Sequence, residues 1–525
     1  MDYSSPYRSG RMPVMGQNVV AASQPLAAQA GLRMLLAGGN AVDAALAAAM
    51  TLTVVEPTGN GLGSDLFAIV WDGSGLHGLN ASGHSPAALT SERFAGMTTM
   101  PLHGWDPVTV PGAVSGWVEL SRRFGTLPLT TVAAPAISYA RDGFLVSPVI
   151  AAGWARSAKT LGTFDGFAAG FLPGGRAPHA GERFRFEDQA ASLEAIADTS
   201  GDAFYRGALA RAMAADARRL GGLLTEEDLA RHHADWVGTL STGYHGTELH
   251  EIPPSGQGLA ALIAIGILRH HAHADAPVDS ADSLHLQFEA MKLAFADVYR
   301  YCADPDYMDV SAEELLDDSY LAARAALIDP KVAGEPVFGV PRPGGTVNLS
   351  TADASGMMVS LIQSNYHGFG SGIVVPGTGI SLQNRGAGFV LEPGHPNRVG
   401  GNKRPFHTII PGFLTRAGAP QMAFGLMGGP IQPQGHLQMV LRTVDHDQNP
   451  QLASDAPRWR VTGGRHVAVE RGFAPEVLQE LTERGHLVTE ESTSLAFGGA
   501  QLIWRTEGGY IAGSDHRKDG EAVAY

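Results

Sequence analysis

The spacing of apolar and polar positions changes character three times along the chain. Residues 18–22 (Asn-Val-Val-Ala-Ala) are a short apolar run, the pattern of a buried strand. A helix follows, with Ser23 as its cap, Pro25 in its first turn and Gly38-Gly39 at its end. Asn40 and Asp43 have capping-box spacing and open a second, alanine-rich helix over 44–53. A loop from Glu56 to Asp65 leads into an apolar strand over 66–71. Strand, helix, helix, strand is the order of stacked layers rather than of a helical bundle.

Between about 110 and 330 the period becomes mostly helical, in 112–124, 192–198, 208–220 and 283–301. The last of these puts Leu284, Phe288, Met291, Phe295 and Val298 on one face, as a packing helix does. Pro330, Gly334, Pro336, Gly339, Pro341, Pro343, Gly344 and Gly345 then break both periods. Beyond them Val347, Leu349 and Thr351 alternate with polar residues, Asp353-Ala-Ser-Gly356 turns, and 357–362 returns. This is a β-hairpin whose first residue is Thr346. The chain shows no internal repeat and no low-complexity tract.

Composition narrows the class. With 44% hydrophobic residues, the 525-residue chain can bury a sizeable core as two to four folding units or one large fold. Its 66 glycines exceed the usual ~7% without a collagen period, and charged residues are scarce at 17%. Lys+Arg 37 against Asp+Glu 52 gives a net charge of −15 with no basic run, which argues against nucleic acid and anionic membrane as partners. The lone Cys302 cannot form an internal disulfide. The first residues, Met1-Asp-Tyr-Ser-Ser-Pro6, lack a secretion pattern, and the longest apolar stretch, 44–55, is too short to span a bilayer. A cytoplasmic protein is expected.

Chemistry concentrates near the hairpin. A threonine hydroxyl is a poor nucleophile without a base, and a cut before Thr346 would supply one, the new α-amine. Gly344 and Gly345 permit the strained backbone such a self-made cut needs. Taken alone, Gly-Gly-Thr is more often an ordinary loop-to-strand junction. Gly425-Leu-Met-Gly-Gly-Pro430 follows an apolar run and reads either as a tight turn or as backbone N–H groups facing an oxyanion. Asn60-Gly-Leu-Gly-Ser64 lacks the lysine and spacing of a phosphate loop. His270-His-Ala-His-Ala-Asp275 offers metal-type ligands but reads as a solvated helix end, and Cys302 lies on the back of the long helix. Neither HExxH, paired CxxC nor GxSxG occurs, so no metal is expected.

The stretch Gly344-Gly-Thr-Val-Asn-Leu-Ser-Thr-Ala-Asp353, with Gly368-Phe-Gly-Ser-Gly-Ile-Val-Val-Pro376 and Gly379-Ile-Ser-Leu-Gln-Asn-Arg-Gly-Ala-Gly-Phe389, resembles the start of the small subunit of the γ-glutamyltransferase (γ-glutamyltranspeptidase) family. The resemblance continues in order through Gly38-Gly-Asn-Ala-Val-Asp-Ala44, Val110-Pro-Gly-Ala-Val-Ser-Gly-Trp117, Pro135–Phe144, Glu289–Asp297, Gly401-Asn-Lys-Arg-Pro405 and Gly428-Gly-Pro-Ile-Gln-Pro-Gln-Gly-His436. It implies an N-terminal-nucleophile hydrolase of α/β (α+β) class, a four-layer αββα sandwich made as one precursor. The implied cut before Thr346 would give a large chain, 1–345, and a small chain, 346–525, as a heterodimer. By position Thr346 would be the nucleophile, Ser364 the hydroxyl beside it, and Gly428 and Gly429 the oxyanion pair. The substrate would be a small-molecule amide or peptide, and the implied chemistry uses no cofactor.

Departures from the family pattern carry information. Val347 and Asn348 replace the usual Thr-His after the nucleophile. In Asn80-Ala-Ser-Gly-His-Ser-Pro86, Ser82 stands where the family keeps the arginine for the glutamyl α-carboxylate, and Gly388 where it keeps the acid for the α-amine. Arg385 takes an amide position, Tyr366 an asparagine position, and His407 and Thr408 a serine pair. Losing the acid disfavours a free α-amine on the substrate, whereas Arg385 keeps an anion site through its bidentate fork. The expectation is a carboxylate-bearing acyl amide: γ-glutamyl, with Arg385 and His84 re-forming the clamp, or a glutaryl, cephalosporin-type or oxamate-type amide. An uncleaved binding homologue is the remaining alternative.

Overall fold

Two seven-stranded antiparallel sheets carry the fold, and the period-2 pattern of their strands makes them lie face to face. The computed structural model describes residues 10–336 and 345–525. One sheet runs Glu521–Ala524, Val19–Ala22, Gly345–Ala352, Met358–Tyr366, Asp65–Trp71, Leu76–Ala81, Asp235–Trp236. The other runs Val14–Gly16, Gly509–Ser514, Gly499–Thr506, Ala419–Met427, Gly412–Arg416, Thr247–Glu251, Leu240–Tyr244. Val19, Ala21, Phe67, Ile69 and Ile362 of the first sheet meet Phe413, Ala423, Ile503 and Ala512 of the second in one core. Each large aliphatic or aromatic side chain so buried contributes about 1.5–3 kcal/mol.

The alternate residues face outward. Val20, Leu66, Ala68, Leu349 and Leu361 join a core with the helices Pro25–Leu36 and Ala41–Val55. Leu414, Met422, Phe424 and Leu502 join another with Gly258–Leu268, Ala281–Tyr301 and Ile431–Val444. Helix, sheet, sheet, helix is the four-layer αββα sandwich. Every residue of Ala41–Val55 is buried, so this helix is apolar all round rather than striped. No helix among the described residues is long and apolar enough to cross a membrane.

Much of the local pattern appears where expected. The hairpin pairs Gly345–Ala352 with Met358–Tyr366, and Gly356 turns it at φ +97°. Asn40 and Asp43 form the capping box of Ala41–Val55. The differences are instructive. The first helix is capped by the Gln24 side chain, while Ser23 donates to Glu56 at 2.6 Å. The hairpin strand starts one residue early, at Gly345. The stretch from 110 to 330 also holds Asp235–Trp236, Leu240–Tyr244 and Thr247–Glu251, which sit at or near the edges of both sheets. His273 is buried rather than solvated, its ring 2.7 Å from the Tyr244 hydroxyl. The first nine residues and the 337–344 part of the Pro/Gly run lie outside the described residues.

Candidate active site

Three adjacent strands place Thr346, Ser364 and Asp65 at one end of the space between the sheets. In the Met358–Tyr366 strand Met358 and Ile362 point into the inter-sheet core, so Ser364 does too. In Asp65–Trp71, Phe67 and Ile69 set the same parity for Asp65, which pairs directly with Ser364. In Gly345–Ala352 the even positions face inward, with Ala352 in that core and the Ser350 hydroxyl on the carbonyl of Gln501. A bulge between Gly345 and Val347 sets Thr346 slightly out of register, and bulges commonly re-aim a side chain beside a site. Thr346 Oγ1 lies 3.2 Å from Ser364 Oγ, and Ser364 Oγ also accepts the Tyr366 N–H at 2.7 Å. Both hydroxyl residues are buried. In the uncut chain the Thr346 nitrogen is an amide and cannot act as a base; the α-amine exists only after the Gly345–Thr346 bond opens.

The second sheet supplies Gly428 and Gly429, just beyond the Ala419–Met427 strand. Their φ angles are +123° and +70°, and a Cβ on Gly428 would lie 2.7 Å from Ile431 Cγ2. The Gly429 carbonyl is turned away, accepting the Gln257 side chain at 2.9 Å and the Gln432 N–H at 3.0 Å. Neither glycine N–H donates a hydrogen bond to a described residue. Gln257 also donates to the Thr408 carbonyl at 2.5 Å, tying this turn to the segment that holds His407 and Thr408.

That segment and the short Arg385–Gly388 turn build a buried charge cluster. Arg385 is fully buried, donates from Nη1 to Thr408 Oγ1 at 2.8 Å, and lies 4.4 Å over the Tyr366 ring. Its Nε stands 3.8 Å from Asp65 Oδ2, beyond hydrogen-bond reach, and Nε and Nη2 have no hydrogen-bond partner. Burial lowers the guanidinium to about 10, partly offset by Asp65, so it stays charged at neutral pH. Asp65 Oδ1 accepts the N–H groups of Gly83 and Gly112, and Oδ2 lies 3.2 Å from His407 Nε2. The Ile409 N–H donates to His407 Nδ1, which assigns the ring proton to Nε2 and makes His407 a donor to Asp65. Burial, then Arg385 and Arg404, hold His407 well below its usual range and therefore neutral. Burial pushes the Asp65 carboxyl up to about 7, against the pull of Arg385 and the backbone donors.

The residues singled out in the sequence thus divide. Thr346, Ser364, Tyr366, Arg385, His407 and Thr408 form one continuous set of contacts. Ser82 and His84 stand apart from it. The Ser82 hydroxyl folds back on Asn80 at 2.7 Å, and its carbonyl takes Arg404 Nε at 3.0 Å. Burial, then Arg404, lowers the pKa of the half-buried His84, with Asp304 and Asp235 pulling the other way. Asp65 and Gln257 belong to the site although no motif marked them. An acid opening the apolar run Leu66–Trp71 was the available signal for Asp65.

A separate cluster has the makings of a cation site: His285, Glu289 and His486 hold ligand atoms within 4.8 Å of one another. The Lys292 ammonium already pairs with Glu289 and donates to the Gly334 carbonyl at 2.7 Å, so the carboxylate's cation is a side chain. The Ala333 N–H donates to the Arg484 carbonyl at 2.7 Å and continues this clamp close to residue 336.

The chain matches the family model described as Gamma-glutamyltranspeptidase over residues 27–525. It is 34% identical over 517 residues to the glutathione hydrolase-like YwrD proenzyme of Bacillus subtilis (strain 168), covering 97% of this chain and 98% of that one. It is 37% identical over 526 residues to the oxamate amidohydrolase proenzyme of Klebsiella pneumoniae subsp. pneumoniae, covering 98% and 99%. Among solved structures, cephalosporin acylase from Bacillus halodurans matches with a TM-score of 0.95 at 47% identity, over 100% of this chain and 99% of that one.

Proposed function

The chain belongs to the gamma-glutamyltranspeptidase family and is a self-processing N-terminal-nucleophile amidohydrolase; from that premise we propose which residues carry the chemistry and which acyl group they select. The Thr346 hydroxyl attacks the Gly345 carbonyl, the C–N bond breaks, and the resulting ester is opened by water. This frees a Gly345 carboxylate and a Thr346 α-amine and yields a heterodimer of chains 1–345 and 346–525. The α-amine, with a reference pKa near 8, then takes the Thr346 hydroxyl proton as Oγ1 attacks a substrate amide. The tetrahedral oxyanion sits against the N–H groups of Gly428 and Gly429, and Ser364 steadies Oγ1. The leaving amine departs with the proton, and water, or a second amine, takes the acyl group from Thr346.

The acyl group carries a carboxylate. The observation behind this is Arg385: charged, fully buried, with Nε and Nη2 unpaired, and stacked on the tyrosine that follows Ser364 by two residues. Two buried guanidinium nitrogens without hydrogen-bond acceptors are costly, and a bidentate carboxylate removes that cost. No acid stands at Gly388, so a free α-amine gains nothing from that position. Glutaryl-type amides are therefore favoured over γ-glutamyl amides. The relative named for oxamate, whose carboxylate adjoins its amide, supports a shorter diacid as the second reading. The proenzyme relatives and the intact Thr346–Ser364 contact argue against a non-catalytic binding homologue. A cytoplasmic location remains part of the proposal, checked by cell fractionation.

Steady-state kinetics on glutaryl, γ-glutamyl and butyryl anilides, with oxamate and glutaramate as competitors, test the reading. Glutaryl anilide is expected to be cut best, and Arg385→Ala to raise its KM about 10- to 100-fold, the value of a charged hydrogen-bond pair. A preference for γ-glutamyl by orders of magnitude, with Arg385→Ala silent, overturns it.

A further inference from the structure

We propose that Asp65 is a proton-coupled specificity residue: when the substrate carboxylate engages Nε and Nη2 of Arg385, Asp65 takes up a proton and hands the guanidinium's charge to the ligand. This rests on the reading of Arg385 as the acyl-carboxylate site and adds a residue and a pH dependence to it.

The geometry forces the coupling. Asp65 Oδ2 lies 3.8 Å from Nε, on the Arg385 edge that lacks hydrogen bonds, and both side chains are fully shielded from water. A carboxylate seated on Nε and Nη2 would bring a second negative charge close to Asp65 in a medium that cannot solvate it. Two carboxylates sharing one cation in such a site do not both stay ionised. Beyond the Thr346 α-ammonium of the cut chain, which lies past Ser364 and is common to every substrate, the other described groups facing Asp65 offer no spare positive charge. His407 is neutral and donates a single proton. Tyr205, near enough to feel Asp65, is held neutral by burial. Arg404 acts on Asp65 from farther off and is bonded to Asp235 and the Ser82 carbonyl. Gly83 and Gly112 contribute only N–H groups. Asp65 also pairs across the sheet with Ser364, so its charge sits one strand from the nucleophile's partner.

The sign follows. In the free enzyme Asp65 is neutral below about 7 and leaves Arg385 its full charge; above that it ionises and competes with the ligand. Bound carboxylate raises the Asp65 pKa further, so binding draws in a proton wherever the free site is ionised. KM for a carboxylate-bearing acyl group should rise with pH from near 7 upward, by up to tenfold per unit, while a neutral acyl group should not share the rise. Taking the ratio of glutaryl to butyryl kcat/KM cancels titration of the Thr346 α-amine, which both substrates need.

The experiment measures that ratio from pH 5.5 to 9 for the mature wild type and for Asp65→Asn, an isosteric change that keeps an acceptor for Gly83 and Gly112. Calorimetric titration of wild type with glutarate, in buffers of different ionisation heat, counts protons independently of any variant's folding. The expected result is a ratio that falls with pH in wild type and is flat in Asp65→Asn, with proton uptake approaching one per glutarate above pH 7. A glutaryl preference that does not vary with pH, or glutarate binding without proton uptake, overturns the role of Asp65 and leaves Arg385 standing. No glutaryl preference at any pH overturns both.

Discussion

At the scale of single residues the site is tight, and Gly428 shows how tight. Its φ of +123° disfavours any side chain, and an added Cβ would meet Ile431 Cγ2 at 2.7 Å and Gly498 Cα at 3.1 Å. Gly428→Ala should therefore cost about 1–3 kcal/mol of stability from backbone strain. It should also lower kcat about 10²-fold by shifting the N–H proposed to face the oxyanion, with KM for glutaryl anilide little changed because Arg385 is untouched. A thermal melt and steady-state kinetics on processed protein check both halves. Thr346 and Ser364 could be picked out because an ordered set of motifs pointed to them, and the structure puts their hydroxyls in contact. Asp65 escaped notice because its meaning lies in Arg385 and His407, more than 300 residues away in sequence. Ser82 and His84 were singled out by resemblance to the family's clamp, and the Ser82 hydroxyl turns to Asn80.

Local elements were the easier part to read, for a physical reason. A helix announces itself through residues three and four apart, and Asn40–Asp43 announced Ala41–Val55 that way. Asn40 does more than cap: its Nδ2 donates to the Phe124 carbonyl at 2.6 Å, fastening the helix start to the end of Ala113–Phe124. Asn40→Ala should cost about 1–2 kcal/mol, visible as a lower midpoint in denaturant with unchanged KM, since the helix start lies on the outer side of the sheet. Leu240–Tyr244 and Thr247–Glu251 were missed because short strands near a sheet edge take their identity from partners: Thr247–Glu251 is fixed by Gly412–Arg416, far along the chain, and Leu240–Tyr244 pairs with it in turn. The Ser23 cap was misassigned for a similar reason, because Glu56 competes for its hydroxyl.

At the scale of the whole molecule, each sheet mixes strands from both sides of Gly345. Val19–Ala22 pairs with Glu521–Ala524 on one side and Gly345–Ala352 on the other, and Thr247–Glu251 pairs with Gly412–Arg416. Freshly purified wild type should show two fragments by mass spectrometry, the smaller beginning at Thr346, whereas Thr346→Ala should remain one chain. The two forms should also differ in memory. Unfolding the uncut variant leaves one chain that refolds at a rate independent of dilution. Unfolding the cut enzyme releases two pieces whose strands were one another's neighbours, and each alone exposes unpaired edges prone to aggregation. Its recovery should fall with dilution, and its apparent melting point should move with scan rate. In the heterodimer proposed above, the same interleaving would make maturation a one-way door: the enzyme would assemble its sheets once, before the cut, and thereafter persist by the slowness of its unfolding rather than by its ability to return.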